Sequence, residues 1–266
     1  MVETLYHGSD KVIKKPLFGY GKEDNDYGSG FYTTKTKERA NEWALANGTN
    51  TSICNIYEID TEGLAVLNLD EYGTLSWIAE VASHRGTKNS ITVEISNRLI
   101  EKYKIDTSNA DIINGYRADD SYIDVVEAFL KNELSIDEVE RLFRKGNLGE
   151  QVFIKSEEAF NRIAFIGYEV VKPSFGSNYA ISPNEAKARH EVNNFLNNRR
   201  SEIALNGYTP VGITARVAIN SNFVYNKEYR LYTEVDKLQL QNNNTEQEQS
   251  LSKSEAKRKK KYELEL

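Results

Sequence analysis

Apolar positions along the chain change period often enough to mark out short elements. Residues 3–7, with Leu5 and Tyr6, read as a brief strand, and residues 10–27 hold no period and carry loop chemistry in Lys14-Lys15-Pro16 and Gly19-Tyr20-Gly21. After Gly28-Ser29-Gly30-Phe31-Tyr32 the pattern turns helical: Thr36 is a cap, Ala40, Trp43 and Ala44 recur at helical spacing, and Gly48 stands at the stop position. β-Branched runs predict strands over 53–59, 64–69, 111–116, 151–154 and 164–171. Amphipathic runs predict helices over 74–85 with Gly86 as stop, over 91–102 capped by Ser90, and from Tyr122 to Leu130. Ser135-Ile136-Asp137-Glu138 is a capping box that opens a helix through Phe143 to a stop at Gly146. Ser156 starts a short helix, and Ser182-Pro183-Asn184-Glu185 starts a long one running to Gly207. Two further strands are expected near 212–219 and 223–235.

The interspersed strands and helices predict an α+β chain. A domain over residues 1–172, a helix-plus-strands extension over 173–240 and a polar, basic tail over 241–266 are expected, the tail from its Gln/Asn/Glu run and Lys257–Lys261. The tail is read as disordered or loosely helical. Charge follows the same division: residues 1–172 carry 20 basic and 29 acidic side chains (−9), residues 173–266 carry 14 and 11 (+3), which gives the net −6. An acidic front half argues against a face built for nucleic acid, and the basic tail keeps a nucleic-acid interaction through the C-terminal region as an alternative. With 16 Tyr and 10 Phe a packed core is expected. The single cysteine excludes an intramolecular disulfide and a Cys-based metal cluster, and the histidines His7, His84 and His190 lack ligand spacing, so no metal is expected. The absence of a long apolar run and of a secretory h-region predicts a cytoplasmic chain with no membrane partner.

Two stretches carry candidate chemistry. Leu5-Tyr6-His7-Gly8-Ser9 sets an imidazole beside an unhindered backbone amide at a strand end. Gly28-Ser29-Gly30-Phe31-Tyr32 offers a turn whose glycines let backbone approach a ligand, with Tyr32 and, eleven residues on, Trp43 as flat side chains suited to a planar ring. No third glycine follows Gly19 and Gly21 at dinucleotide spacing, and no P-loop or nucleophile-elbow motif appears.

Together these stretches resemble the signature of ADP-ribosyltransferases of the diphtheria-toxin and poly-ADP-ribose-polymerase type, in the form found in a family of bacterial and phage proteins with no assigned function. The resemblance extends through Ala118-Asp119-Asp120 and Gly149-Glu150-Gln151-Val152-Phe153-Ile154 and stops near residue 172. It implies two small antiparallel sheets packed around an NAD cleft with flanking helices. It implies NAD as co-substrate, held by His7, Gly8, Ser9, Gly30, Phe31, Tyr32 and Trp43: His7 on the adenine-side ribose, the Gly8 backbone on the nicotinamide amide, Tyr32 and Trp43 on the nicotinamide ring. In the resembled enzymes a Glu heads the third strand and stabilises the ribosyl cation. Here alignment puts Gln151 in that place and Glu150 one residue earlier, and since neighbouring strand side chains face opposite ways, Gln151 is the expected inward residue. A Gln carbonyl accepts a hydrogen bond from a hydroxyl but brings no full charge. That favours single transfer over polymer formation, with His7, Tyr32 and Gln151 as the catalytic triad. The resemblance further implies a macromolecular acceptor, protein or nucleic acid, an antitoxin or inhibitor protein as a partner, and a toxin or phage-defence setting. An NAD-binding module without turnover is the alternative. Asp119 and Asp120 read equally as helix-start charges or as ligands to target or NAD, and Arg117 as a partner for pyrophosphate or for those carboxylates.

Overall fold

The computed structural model describes residues 1–47, 51–87, 90–117, 120–143, 149–172 and 183–235. Expectations at Gly48, Ala118, Asp119, Gly146, Ser182 and residues 241–266 fall outside them, as do those at the Asp120 side chain. The chain divides into two compact units, Met1–Ile219 and Asn220–Leu266.

Two sheets form the centre of the first unit. In one, β1 (Val2–Ser9) pairs antiparallel with β3 (Ile53–Asp60) over its full length, and β3 pairs antiparallel with β7 (Ile163–Val170) through an irregularity at Ile56/Tyr57. The other has the order β2 (Phe31–Thr33), β6 (Glu150–Ile154), β5 (Ile112–Tyr116), β4 (Val66–Asn68). Between them lies an apolar layer in which Leu5, Tyr57 and Ile59 of the first sheet meet Phe31, Ile112, Val152 and Ile154 of the second. Burying each such side chain stabilises the fold by roughly 1.5–3 kcal/mol.

The second sheet departs from the all-antiparallel expectation, because β4 runs parallel to β5. The cause is the connection: α2 (Gly73–Arg85) and α3 (Ser90–Tyr103) carry the chain across before it re-enters in the same direction, as a parallel pair requires. The chain is thus mixed α+β with small sheets, two of them in this unit.

α1 (Lys37–Asn47) lies on β1, and the approach depends on Gly8. A Cβ there would stand 2.0 Å from the Ala40 carbonyl oxygen and 2.5 Å from the Ala44 amide nitrogen. Small residues on the facing turn of α1 and no side chain at Gly8 let helix and strand backbones touch. The sheets are also joined directly. Tyr6 and Thr34 exchange both backbone hydrogen bonds, N–H to O=C, at 2.8 and 2.9 Å. This bridge sets His7, next on β1, beside Tyr32 on β2.

α4 (Asp120–Leu130), α5 (Ile136–Phe143), α6 (Glu157–Asn161) and α7 (Pro183–Asn206) complete the helical layer with α8 (Ala215–Asn220). The capping box opens α5 with the Glu138 carboxylate accepting from the Ser135 amide at 2.9 Å. The same carboxylate accepts from the Arg199 guanidinium of α7 at 2.5 Å, both side chains 8% exposed. That ion pair ties α7 to α5 within the first compact unit.

Residues 212–219 do not form the expected strand. Ile213 and Val217 favour extended backbone, but Thr214 caps a short helix and its carbonyl accepts from the Ala218 amide at 2.8 Å. Ala215 and Ala218, three residues apart, are both buried, so helical period overrides β propensity. Residues 223–235 form two strands, β8 (Phe223–Asn226) and β9 (Leu231–Glu234), paired antiparallel. The Asn226 side-chain oxygen accepts from the Glu228 and Tyr229 amides, and Arg230 takes φ 52°, which turns the chain back. Among the described residues no helix is long and apolar enough to cross a membrane.

Candidate functional site

A cavity of about 290 Å³ opens where β1, β2, α1 and β6 converge, and His7, Gly8, Tyr32, Trp43 and Gln151 all line it. Five sequence candidates from four separated stretches therefore share one pocket. Its volume is near the lower end of small-molecule sites, enough for part of a dinucleotide.

His7 stands at the end of β1 with Nδ1 2.7 Å from the Tyr32 carbonyl. A carbonyl only accepts, so Nδ1 carries the proton and donates. Burial holds the imidazole below its usual pKa of 6.5, with the carbonyl contact opposing. The neutral ring therefore keeps its Nε2 lone pair as an acceptor.

The Tyr32 hydroxyl donates to the Gly28 carbonyl at 2.8 Å and accepts from the Tyr27 amide at 3.0 Å. Burial pushes its pKa far up, so it neither gives nor takes a proton near neutrality. Its phenol is a clamp on the turn and its ring is the part left for a ligand. Tyr27 lies parallel to that ring, 15° between planes and 6.5 Å between centroids. Tyr27 is itself pinned, donating to the Tyr116 carbonyl at 2.5 Å and accepting from the Trp77 indole at 3.0 Å.

Trp43 is 8% exposed and makes no ring contact with Tyr32 among the described residues, so the two line the cavity without filling it. The Arg117 guanidinium lies 5.2 Å from the centre of the Trp43 ring, and the indole N–H is buried with no acceptor among the described residues.

Gln151 lies on the face of β6 toward this cavity. Its amide nitrogen donates to Asp26 Oδ2 at 2.8 Å and is 3.3 Å from the Tyr116 carbonyl. Neither partner can donate, which fixes the amide: nitrogen toward Asp26, carbonyl oxygen as the acceptor left over. Asp26 is 7% exposed and also receives the Arg85 guanidinium at 2.9 Å on Oδ1. Asn25, Asp26, Arg85 and Arg117 complete the lining. The sequence signal for Asp26 was present in the Asp24-Asn25-Asp26 run before the glycines, which reads first as a turn. Arg85 gave none, since a basic residue in the last turn of a helix is ordinary dipole pairing.

The remaining candidates lie elsewhere. Ser9 donates to the Lys11 carbonyl at 2.6 Å and accepts from Asn55 Nδ2 at 3.0 Å, inside a knot that shapes the β1 exit. Phe31 is in the apolar layer, its ring 5.4 Å from Tyr57. The glycines of the turn are not among the residues lining this cavity, and the space a side chain would need at them is taken by protein. A Cβ at Gly30 would stand 2.2 Å from the Phe153 ring, and one at Gly28, where φ is 84°, would stand 2.9 Å from the His84 ring. Glu150 faces the opposite side of β6 and lines a separate cavity. Among the described residues no group of three or more His, Cys, Asp or Glu side chains is arranged to hold a metal ion.

Among known proteins, a family model described as "Protein of unknown function (DUF3990)" matches residues 3–165, more than half of the chain. No curated protein and no solved structure matches it.

Proposed function

The chain belongs to the DUF3990 family, and we propose that it is a mono-ADP-ribosyltransferase that takes NAD as co-substrate. The observation that carries this reading is the convergence of His7, Gly8, Tyr32, Trp43 and Gln151 on one cavity from stretches more than a hundred residues apart. In the proposed reaction the bond between nicotinamide and ribose breaks, nicotinamide leaves with the bonding electrons, and an acceptor nucleophile on a macromolecule attacks the oxocarbenium-like carbon and loses its proton. The chain's own groups support each part of that event. Neutral His7 offers Nε2 to a ribose hydroxyl, and Gly8 presents backbone without a side chain. Tyr32 and Trp43 supply flat walls for the pyridine ring, and Arg117 and Arg85 supply positive charge for pyrophosphate. The Gln151 carbonyl accepts a hydrogen bond from a ribose hydroxyl in the transition state, as a preorganised dipole held by Asp26. A bacterial or phage toxin or defence effector, with an inhibitor protein as its counterpart, is the setting we propose.

A second reading has a specific observation in its favour. The carboxylate nearest the Gln151 amide is Asp26, and it is already paired with Arg85. A pocket without an uncompensated negative charge stabilises a ribosyl cation weakly, which favours NAD binding without turnover. Incubating the full chain with adenine-labelled NAD and cell lysate separates the two. Released nicotinamide with label on protein or RNA supports the transferase. Saturable NAD binding with neither product establishes the binding module, and no binding at all removes both.

A further inference from the structure

On the other face of the second sheet a larger cavity, about 590 Å³, is unclaimed by the NAD reading. Strand register explains its lining. Glu150 pairs opposite Tyr116, Val152 opposite Asn114, and Asn114 beside Asn68, so these side chains share one face, while Gln151 points to the other. Tyr122 and Phe143, 4.9 Å apart between ring centres and both nearly buried, give it an aromatic side.

Two acceptors of this cavity lack donors among the described residues. The Glu150 carboxylate makes no hydrogen bond or ion pair among the described residues. Burial, with the Asp70 charge adding to it, pushes its pKa above the usual carboxylate value, while Lys35 opposes. Lys35 also lines the cavity, but its ammonium is bound to Glu3 Oε2 at 2.5 Å, so its charge is already answered. The Asn114 amide donates to Asn68 Oδ1 at 2.7 Å, and its own carbonyl oxygen is buried with no donor among the described residues. A buried acceptor left without a donor marks a place for water or a ligand.

An unanswered carboxylate, an orphaned amide oxygen and flat aromatic walls call for one kind of complement: positively charged, rich in N–H donors, and planar. We propose that this second cavity binds a guanidinium group, with Glu150 as its ion-pair partner and Tyr116, Tyr122 and Phe143 as its apolar walls. A guanidinium fits better than an ammonium because it is planar, weakly hydrated, and stacks on rings while donating in its plane. The group comes from an arginine side chain of a bound polypeptide or from a free guanidino compound. The site does not depend on NAD chemistry, since it lies across β6 from the other cavity.

The test is calorimetric titration of the full chain with Nα-acetyl-arginine methylamide, its citrulline and lysine counterparts, and free L-arginine. Saturable binding of the arginine compound is expected, with the uncharged citrulline compound at least about tenfold weaker and the same loss in Glu150→Gln. Tighter binding of the blocked compound than of free L-arginine assigns the site to polypeptide, and the reverse assigns it to a small molecule; both support guanidinium recognition. Absence of saturable binding, equal binding of the citrulline or lysine compound, or unchanged affinity in Glu150→Gln overturns the proposal. Circular dichroism checks that Glu150→Gln is folded, which an isosteric change at a carboxylate with no partner among the described residues should leave intact. Nicotinamide release, measured in parallel, reports on the NAD reading separately, so one can fail while the other stands.

Discussion

The Gln151 side-chain amide donates to Asp26 Oδ2 at 2.8 Å, and both residues are buried, at 3% and 7% exposure. That contact makes the amide at residue 151 a requirement of the fold around it. A carboxylate in its place would face another carboxylate across hydrogen-bond distance, and both could not stay ionised at neutral pH.

Gln151→Glu is therefore expected to destabilise the protein, by about 1–3 kcal/mol, as a shift in the urea midpoint. The double variant Asp26→Asn, Gln151→Glu should recover much of that loss, because the Asn amide can donate to the new carboxylate. Equal destabilisation of the single and double variants would mean that the two side chains are not coupled.

His7 sets a pH dependence. Burial lowers its pKa in the folded state below the ordinary 6.5. As pH falls through 6.5 the unfolded chain takes up the proton first, so stability is complete above that range and declines below it until the folded imidazole also protonates. NAD binding by the folded chain should weaken only at the low end of that interval, where the folded imidazole itself takes up a proton and Nε2 loses its lone pair. The His7→Gln variant should lose that part of the slope in urea titrations run at successive pH values.

Tyr32→Phe removes the hydroxyl that joins the Gly28 carbonyl to the Tyr27 amide and keeps the ring. A loss of about 1–2 kcal/mol in thermal or urea melts is expected, with NAD affinity reduced far less than in Tyr32→Ala. If Phe and Ala prove equally damaging to NAD affinity, the ring is not the ligand-facing part.

Gly8→Ala drives a methyl group into the backbone of α1 at Ala40 and Ala44. The helix must shift, which costs at least about 1–3 kcal/mol and moves Trp43 with it. Both melting temperature and NAD affinity should fall. A variant of native stability that binds NAD normally would show that α1 adjusts without disturbing the cavity wall.

Arg199→Met leaves Glu138 buried without its partner, and a loss of about 3–5 kcal/mol in urea unfolding is expected. Pairing it with Glu138→Gln, which removes the buried charge and keeps an acceptor for the Ser135 amide, should recover much of that loss.

Much of this molecule was legible because its signals are local. Thr36 before α1, Ser135 and Glu138 before α5, and alternation in β3 each fix an element through residues close in sequence. Likewise His7-Gly8, Tyr32 and Gln151 could be named as candidates from short motifs. Their convergence was an expectation that only the packing of two sheets could meet. What stayed hidden depends on distant partners. Nothing near Arg85 announces Asp26, 59 residues away, and nothing near Gly30 announces the Phe153 ring that occupies its missing side chain. The helix at Ala215–Asn220 was missed for a related reason, since the burial of two alanines decides its conformation and their neighbours Ile213 and Val217 argue for a strand.

The Tyr6–Thr34 bridge has a mechanical consequence. Two main-chain hydrogen bonds clasp the strand bearing His7 to the chain just past Tyr32, and a third, from the imidazole to the Tyr32 carbonyl, reinforces them. This side of the cleft acts as the closed end of a jaw. The walls that His7 and Tyr32 give to the cavity are thereby held at a fixed separation.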